Sequence, residues 1–172
     1  AYTAARGMDF LYLLDCAAPA LSLGHLWGRL GCFLAGCCYG RATSLPWAAR
    51  FPAESVAYQE MIETRAIAPG SPSTPPVHPT QLYDALAEGA VLIAIVGFAR
   101  RKSWNGQVGG LYLALYAAAR FAIEFSRGDG LRGSGLGLST SQWVAILLFV
   151  VGAGLLTWRR IVPARPQSPA ST

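Results

Sequence analysis

Long apolar runs separated by short polar breaks dominate the chain. Residues 133–158 hold 26 consecutive positions without a formal charge, and 142–158 form the dense apolar part. At about 1.5 Å per helical residue, such a run crosses a hydrocarbon core of about 30 Å. Residues 103–119 are uncharged, and their apolar pattern continues to Phe125 past Arg120 and Glu124. Residues 82–99 form a third run carrying Asp84 and Glu88, and 8–27 a fourth with Asp15 and His25 inside it. Residues 28–40 are apolar but too short and too glycine-rich to cross alone. They read as a broken or re-entrant helix, tolerated at membrane depth only inside protein or beside water. The pattern predicts an all-α, polytopic transmembrane bundle of about four spans plus this glycine-rich piece.

Between 41 and 80 the character changes. Pro69, Pro72, Pro75, Pro76 and Pro79, with Ser, Thr and Gly among them, predict an irregular aqueous segment. Glu54, Glu60, Glu63 and Arg65 read there as a solvated face. Residues 1–160 are expected to be one transmembrane domain, with 161–172 a disordered tail.

Composition sharpens the reading. Hydrophobic residues make up 53% of the 172 and charged residues 13%, about half the charged share of a typical soluble domain. An ordinary soluble enzyme and a disordered chain are both excluded. The net charge of +5 is not a nucleic-acid signature, because the basic residues lie singly or in small groups beside apolar runs. They set orientation instead. Arg100, Arg101 and Lys102 share one side with Arg6, Arg159, Arg160 and Arg165. That side, and the C-terminus with it, is predicted cytoplasmic, with 41–80 and 127–138 outside.

Ionisable residues within spans are costly and mark function. Arg120 and Glu124 are four apart and Arg127 three further on, so a continuous helix places them on one face with Tyr116. Two arginines with one glutamate leave a positive surplus suited to an anionic head group, which Arg binds bidentately. Thirteen of the fourteen basic residues are Arg. Asp84 and Glu88 have the same four-residue spacing, just after His78, Gln81 and Tyr83. They read either as a helix start or as part of a site. Gly28, Gly31, Gly36 and Gly40 surround Arg29, an arrangement that serves tight packing or an anion cradle. His25 reads as structural or as a base. Cys32, Cys37 and Cys38 leave open packing, thiol-redox or disulfide chemistry, and metal binding. Their spacing matches no standard zinc pattern, and neither metal nor cofactor is expected.

The strings GRLGCFLAGCCYGR, LPW, FP, HPTQLYD, LYxxxRFxxExxRGD and LSTSQW occur in that order along the chain. Together they resemble the prolipoprotein diacylglyceryl transferases, from about Asp9 to Trp158. The resemblance implies a bacterial inner-membrane enzyme that moves a diacylglyceryl group from phosphatidylglycerol to the cysteine thiol of a prolipoprotein signal peptide. It places Arg29 on the family's essential arginine and Gly28, Gly31, Gly36 and Gly40 on its glycines. His78, Gln81 and Tyr83 fall on its HPxQLYE motif, with Asp84 replacing Glu. Arg120, Glu124 and Arg127 fall on RFxxExxR. Arg29, Arg120 and Glu124 are thus expected to be catalytic. Gly28, Gly31, Gly40, His78, Gln81, Tyr83 and Arg127 are expected to bind substrate, with Cys32, Cys37 and Cys38 a separate thiol site. The chain departs from the signature at Cys32 and Ala35, where the family has Asn, and at Cys37, where it has Glu. The family's N-terminal spans, with a His-Gly-Gly motif, are expected before Ala1, in a longer protein of which this is a fragment or in its relatives alone. The alternative class is a thiol-redox or metal-handling membrane protein, or an accessory subunit, on the same scaffold.

Overall fold

The structure is a computed structural model that describes residues 9–127, 134–135 and 137–161. Four long helices, α1 (Phe10–Ala35), α3 (Thr80–Ala99), α4 (Gln107–Glu124) and α5 (Thr140–Ile161), form the bundle. A short helix, α2 (Val56–Glu63), lies in the 41–80 segment, and the two-residue strands β1 (Ser134–Gly135) and β2 (Leu138–Ser139) precede α5. The tail expected to be disordered lies, beyond Ile161, outside the described residues.

The glycine-rich stretch is not a separate piece. α1 runs unbroken through Gly28 and Gly31 to Ala35, starting at Asp9, whose side chain accepts from the Leu11 amide at 2.9 Å. It stops at Gly36, where φ of +69° turns the amide back onto the Cys32 and Phe33 carbonyls. This left-handed cap suits glycine, which has no Cβ to clash.

Three helices are long and apolar enough to cross a membrane: Phe10–Ala35, Thr80–Ala99 and Thr140–Thr157. Four spans were expected, and α4 is the one that falls short. It packs against α1, α3 and α5 together, so little of its surface needs to be lipid-compatible. Its contact with α5 depends on two glycines. A Cβ on Gly152 would sit 2.6 Å from the Gly110 carbonyl oxygen and 2.7 Å from the Ala114 amide. Small residues at such crossings let membrane helices approach closely.

The bundle buries many polar groups beside an apolar core of Ala18, Val91, Ile95, Val108 and Tyr112, and it turns large apolar side chains outward. Asp15, Ser22, Thr80, Gln81, Asp84, Glu88, Gln107 and Gln142 are buried, whereas Leu34, Ile93 and Leu86 are 86%, 77% and 74% exposed. A soluble fold would reverse this, since exposed apolar surface is favourable only against lipid or a partner. Positions 15, 18, 22, 25, 29 and 32 of α1 recur at alternating steps of three and four, as do 81, 84, 88, 91 and 95 of α3. Each set therefore lies on one helix face.

Residues 41–80 are irregular apart from α2 and isolated bridges, yet they are packed. Bridges pair Ala42 and Ala49 with Val77, and Pro52 with Ser73. Phe51, Ala57, Met61 and Val77 form a small core packed against Phe33 of α1. Buried Thr74 accepts from the Phe51 amide at 2.9 Å, and its own amide donates to the Phe51 carbonyl at 2.9 Å. Prolines supply no donors, and these few long-range bonds take their place.

Candidate active site

The ionic groups separate into two ends of the bundle. At the end holding Lys102, Asp15 accepts from Lys102 Nζ at 3.0 Å and from the Gly106 and Gly109 amides at 2.9 Å each. Its carboxylate caps the N-terminus of α4, where the helix dipole favours a negative charge. Sequence reasoning gave Asp15 no role. Its place seven residues before Ser22 and ten before His25, on the same helix face, was the available signal.

Toward the other end, α1 and α3 are joined by two pairings. Arg29 Nε lies 3.2 Å from Asp84 Oδ2. One turn earlier, His25 Nδ1 lies 3.1 Å from Glu88 Oε1 and 3.1 Å from the Tyr112 hydroxyl. Ser22 Oγ is 2.9 Å from both Glu88 Oε2 and the Glu88 carbonyl. Tyr116 stacks on the His25 ring at 5.5 Å. Asp84 and Glu88 are thus held by specific partners, and the helix-start reading of them is replaced.

On α4, Arg120 Nη2 pairs with Glu124 Oε2 at 2.6 Å and donates to Ser141 Oγ at 3.3 Å. Ser139 Oγ donates to Glu124 Oε1 at 2.9 Å. The expected face of three ionic groups is shorter than predicted, because α4 ends at Glu124 and Arg127 lies beyond it. Arg120 and Tyr116 line two spaces at once. Between α3 and α4 they meet Asp84, Ala87, Glu88, Val91 and Ala119 around a small cavity. Between α4 and α5 they meet Thr140, Ser141, Val144, Ala145 and Leu148 in an open cleft of about 470 Å³. The cleft is polar near Arg120 and apolar further along α5, which suits an amphiphile with an anionic head.

Asp84 pairs with Arg29 and Glu124 with Arg120, so these two guanidiniums do not offer unpaired charge. The capacity for an anion lies in unspent hydrogen bonds instead. Arg120 Nη1 and Gln81 Oε1 are buried without a hydrogen-bond partner. Buried polar atoms are nearly always satisfied, so such orphans mark sites completed by something else. A guanidinium has five N–H donors in a planar fork, and one carboxylate uses only part of it.

Other expected residues have supporting positions. Gln81 Nε2 donates to the Cys37 carbonyl at 2.6 Å, fixing the turn after α1. The Tyr83 hydroxyl accepts from Trp47 Nε1 at 2.8 Å and lies 3.2 Å from His78 Nδ1, tying the 41–80 segment to α3. Gly40 is packed so tightly that a Cβ would meet the Ser126 carbonyl oxygen at 2.5 Å. Around Gly28 and Gly31 a Cβ would meet nothing within 4 Å, so these two do not serve packing among the described residues.

The Cys32, Cys37 and Cys38 sulfurs lie within 4.8 Å of one another. Burial, followed by the hydrogen bonds that the Cys37 S–H donates to Cys32 and Cys38, pushes the Cys37 thiol from an ordinary 9.0 up to about 12. A redox-active thiol needs the opposite shift, which counts against the thiol-redox alternative.

A model of the prolipoprotein diacylglyceryl transferase family matches residues 1–158. The chain belongs to that family. It is 34% identical over 151 residues to the phosphatidylglycerol–prolipoprotein diacylglyceryl transferase of Clostridium tetani, covering 88% of this chain and 55% of the relative. With the Idiomarina loihiensis protein of the same name it shares 36% over 171 residues, 98% of this chain and 56% of that one. With the Chlorobaculum tepidum protein it shares 37% over 162 residues, 92% of this chain and 50% of that one. The chain spans about half the length of these curated relatives. Family membership and three membrane-crossing helices together make it a membrane protein.

Proposed function

We propose that the chain takes part in moving a diacylglyceryl group from phosphatidylglycerol to the cysteine thiol of a prolipoprotein signal peptide. The observation that carries this is Arg120, which lines both the inner cavity and the amphiphilic cleft and whose buried Nη1 has no hydrogen-bond partner. The lipid phosphate takes the free edges of the Arg120 and Arg29 guanidiniums, each oriented from behind by its carboxylate. The acyl chains follow Val144, Ala145 and Leu148 along α5. Charge that develops on the leaving phosphate meets donors already in position, the usual basis of transition-state stabilisation. His25, oriented by Glu88, takes the thiol proton, and the thiolate attacks the glycerol C3 carbon. Gly28, Gly31 and Arg127 contribute at the rim of this site.

The reaction belongs to the outer face of a bacterial inner membrane, with 41–80 outside and the C-terminus in the cytoplasm. Positive-inside counting supports that orientation. The test uses the full-length protein in phosphatidylglycerol vesicles with a lipobox peptide, read as the mass of one diacylglyceryl group gained on the peptide thiol. Arg29→Lys, which loses the fork but keeps the charge, is expected to abolish the gain, and His25→Ala to slow it. Unimpaired transfer by Arg29→Lys overturns the arginine assignment. In sealed right-side-out vesicles, an impermeant maleimide is expected to reach a cysteine placed at 60 and not one at 102; the reverse overturns the orientation.

A further inference from the structure

The Cys32, Cys37 and Cys38 thiols have no part in the transferase reading, although their sulfurs converge. We propose that Cys32, Cys37 and Cys38 bind one zinc ion through three thiolates, leaving its fourth position open to the thiol that accepts the diacylglyceryl group. The zinc site stands on geometry alone, whereas the role of the open position rests on the transferase reading.

Spacing along the chain hides the site, and the backbone builds it. Cys32 lies in the last turn of α1, and the turn at Gly36 brings the Cys37 amide back to the Cys32 carbonyl at 3.1 Å. Cys38 has φ of +60°, one of two non-glycine residues with positive φ among those described. A strained residue of this kind persists only where its surroundings over-determine it. Here the surroundings are Gln81 and Thr80, both fully buried. Gln81 Nε2 donates to the Cys37 carbonyl at 2.6 Å and Thr80 Oγ1 to the Cys38 carbonyl at 2.8 Å. The three sulfurs consequently converge within 4.8 Å. With Zn–S bonds of about 2.3 Å, three thiolates on one ion stand about 4 Å apart. Small side-chain rotations close that gap.

The donor set selects the ion. Thiolates exclude Mg²⁺ and Ca²⁺ and favour Zn²⁺ or Cu(I). Among the described residues no fourth His, Cys, Asp or Glu joins the cluster. Structural zinc takes four protein ligands, whereas three leave an exchangeable position. Zinc also undergoes no redox change, as a group transfer requires. The place suits the chemistry, since Cys32 lies one turn beyond Arg29 on the same face of α1. Gln81 likewise lies one turn before Asp84 on α3.

A thiol that enters the open position loses its proton outright, as coordinating thiols do. That proton is released to water. Four thiolates around Zn²⁺ leave a net charge of −2, so the bound sulfur stays electron-rich. It forms the C–S bond to the glycerol C3 carbon while the C3–O bond to phosphate breaks. The bonding electrons depart with glycerol phosphate, which takes up a proton from water. The product thioether is a neutral, weaker ligand and yields its place to water. No oxidant or reductant is consumed, and the zinc is unchanged.

The test begins with the full-length protein purified without chelator. One zinc per chain is expected, with three sulfurs at about 2.3 Å by X-ray absorption. In chelator competition, Cys32→Ser, Cys37→Ser and Cys38→Ser are each expected to weaken zinc binding by about a hundredfold or more. Cys16→Ser, outside the cluster, should leave it unchanged. In cobalt-substituted protein, a lipobox peptide should strengthen the thiolate-to-cobalt absorption, and its Cys→Ser version should not. A protein that takes up no zinc at micromolar concentration, binds copper(I) alone, or purifies with a Cys32–Cys37 disulfide overturns the zinc site. Zinc bound without a response to the peptide overturns the open position. Both responses without any lipid transfer overturn the transferase reading and leave the metal site standing.

Discussion

Asp15 and Arg120 are both buried ions of the same bundle, and they are held in opposite ways. Asp15 is 5% exposed, and its two oxygens accept three hydrogen bonds from Lys102, Gly106 and Gly109. Arg120 keeps an unpartnered Nη1, and Gln81 nearby keeps an unpartnered Oε1. Asp84 Oδ2 and Glu124 Oε2 have their ion pairs but no well-angled hydrogen bond. A low-dielectric interior makes a satisfied network stabilising and an unsatisfied one costly. The fold tolerates that cost at one end only, beside a cleft that opens between α4 and α5. The difference separates ions that build the molecule from ions that await a ligand.

The sharpest way to break this comparison is Arg120→Lys. The change keeps a cation beside Glu124, so stability should move little. The planar fork is lost, and transfer should fall by about 10²–10³-fold, the usual loss for a positioned transition-state donor. Rate of lipid transfer and thermal midpoint, measured on the same preparation, read the two effects apart. A wild-type rate would mean that the orphaned Nη1 has no function.

At the satisfied end the expectation is reversed. Asp15→Asn removes the charge that Lys102 pairs with and replaces one acceptor by a donor facing one of the two helix-terminal amides. Breaking a buried pair costs about 3–5 kcal/mol, and Lys102, 27% exposed, recovers part of this in water. A loss of about 3 kcal/mol is expected in denaturant titration, with the rate per folded molecule unchanged. If activity falls while stability holds, the two ends do not differ in kind.

Much of this division was legible in the sequence, and its failures have physical causes. Hydropathy alone located the long helices, because lipid demands apolar surface whatever the neighbours are. It marks α4 least strongly, a helix sheltered by three others. The Arg120–Glu124 pair was readable because both partners lie on one helix. The Arg29–Asp84 and His25–Glu88 pairs join separate helices, and no local spacing reports a partner 55 or 63 residues away. The packing of the 41–80 segment was missed because its order comes from Thr74 and three isolated bridges rather than from periodicity. The three thiols were named in the sequence, but their convergence was not readable, because left-handed residues at 36 and 38 bend the chain in a way that linear spacing does not record.

The smallest effect concerns Cys37, and it refines the comparison within the unsatisfied end. Burial and the neighbouring thiols raise its pKa from an ordinary 9.0 to about 12. For an acid raised in the folded state, the neutral form is the stabilised one. Its contribution is therefore complete below pH 9 and lost as pH climbs toward 12. The kinetic consequence is easier to measure, because the thiolate is the species that alkylates. In chelator-treated native protein at pH 8.5, Cys37 should react with a maleimide several-fold more slowly than in the same protein unfolded in detergent. Peptide mapping by mass spectrometry assigns the modified residue. Equal rates in the two states would show that the turn after α1 does not hold the three thiols together, and the end that awaits a ligand would then consist of the arginine pairs alone.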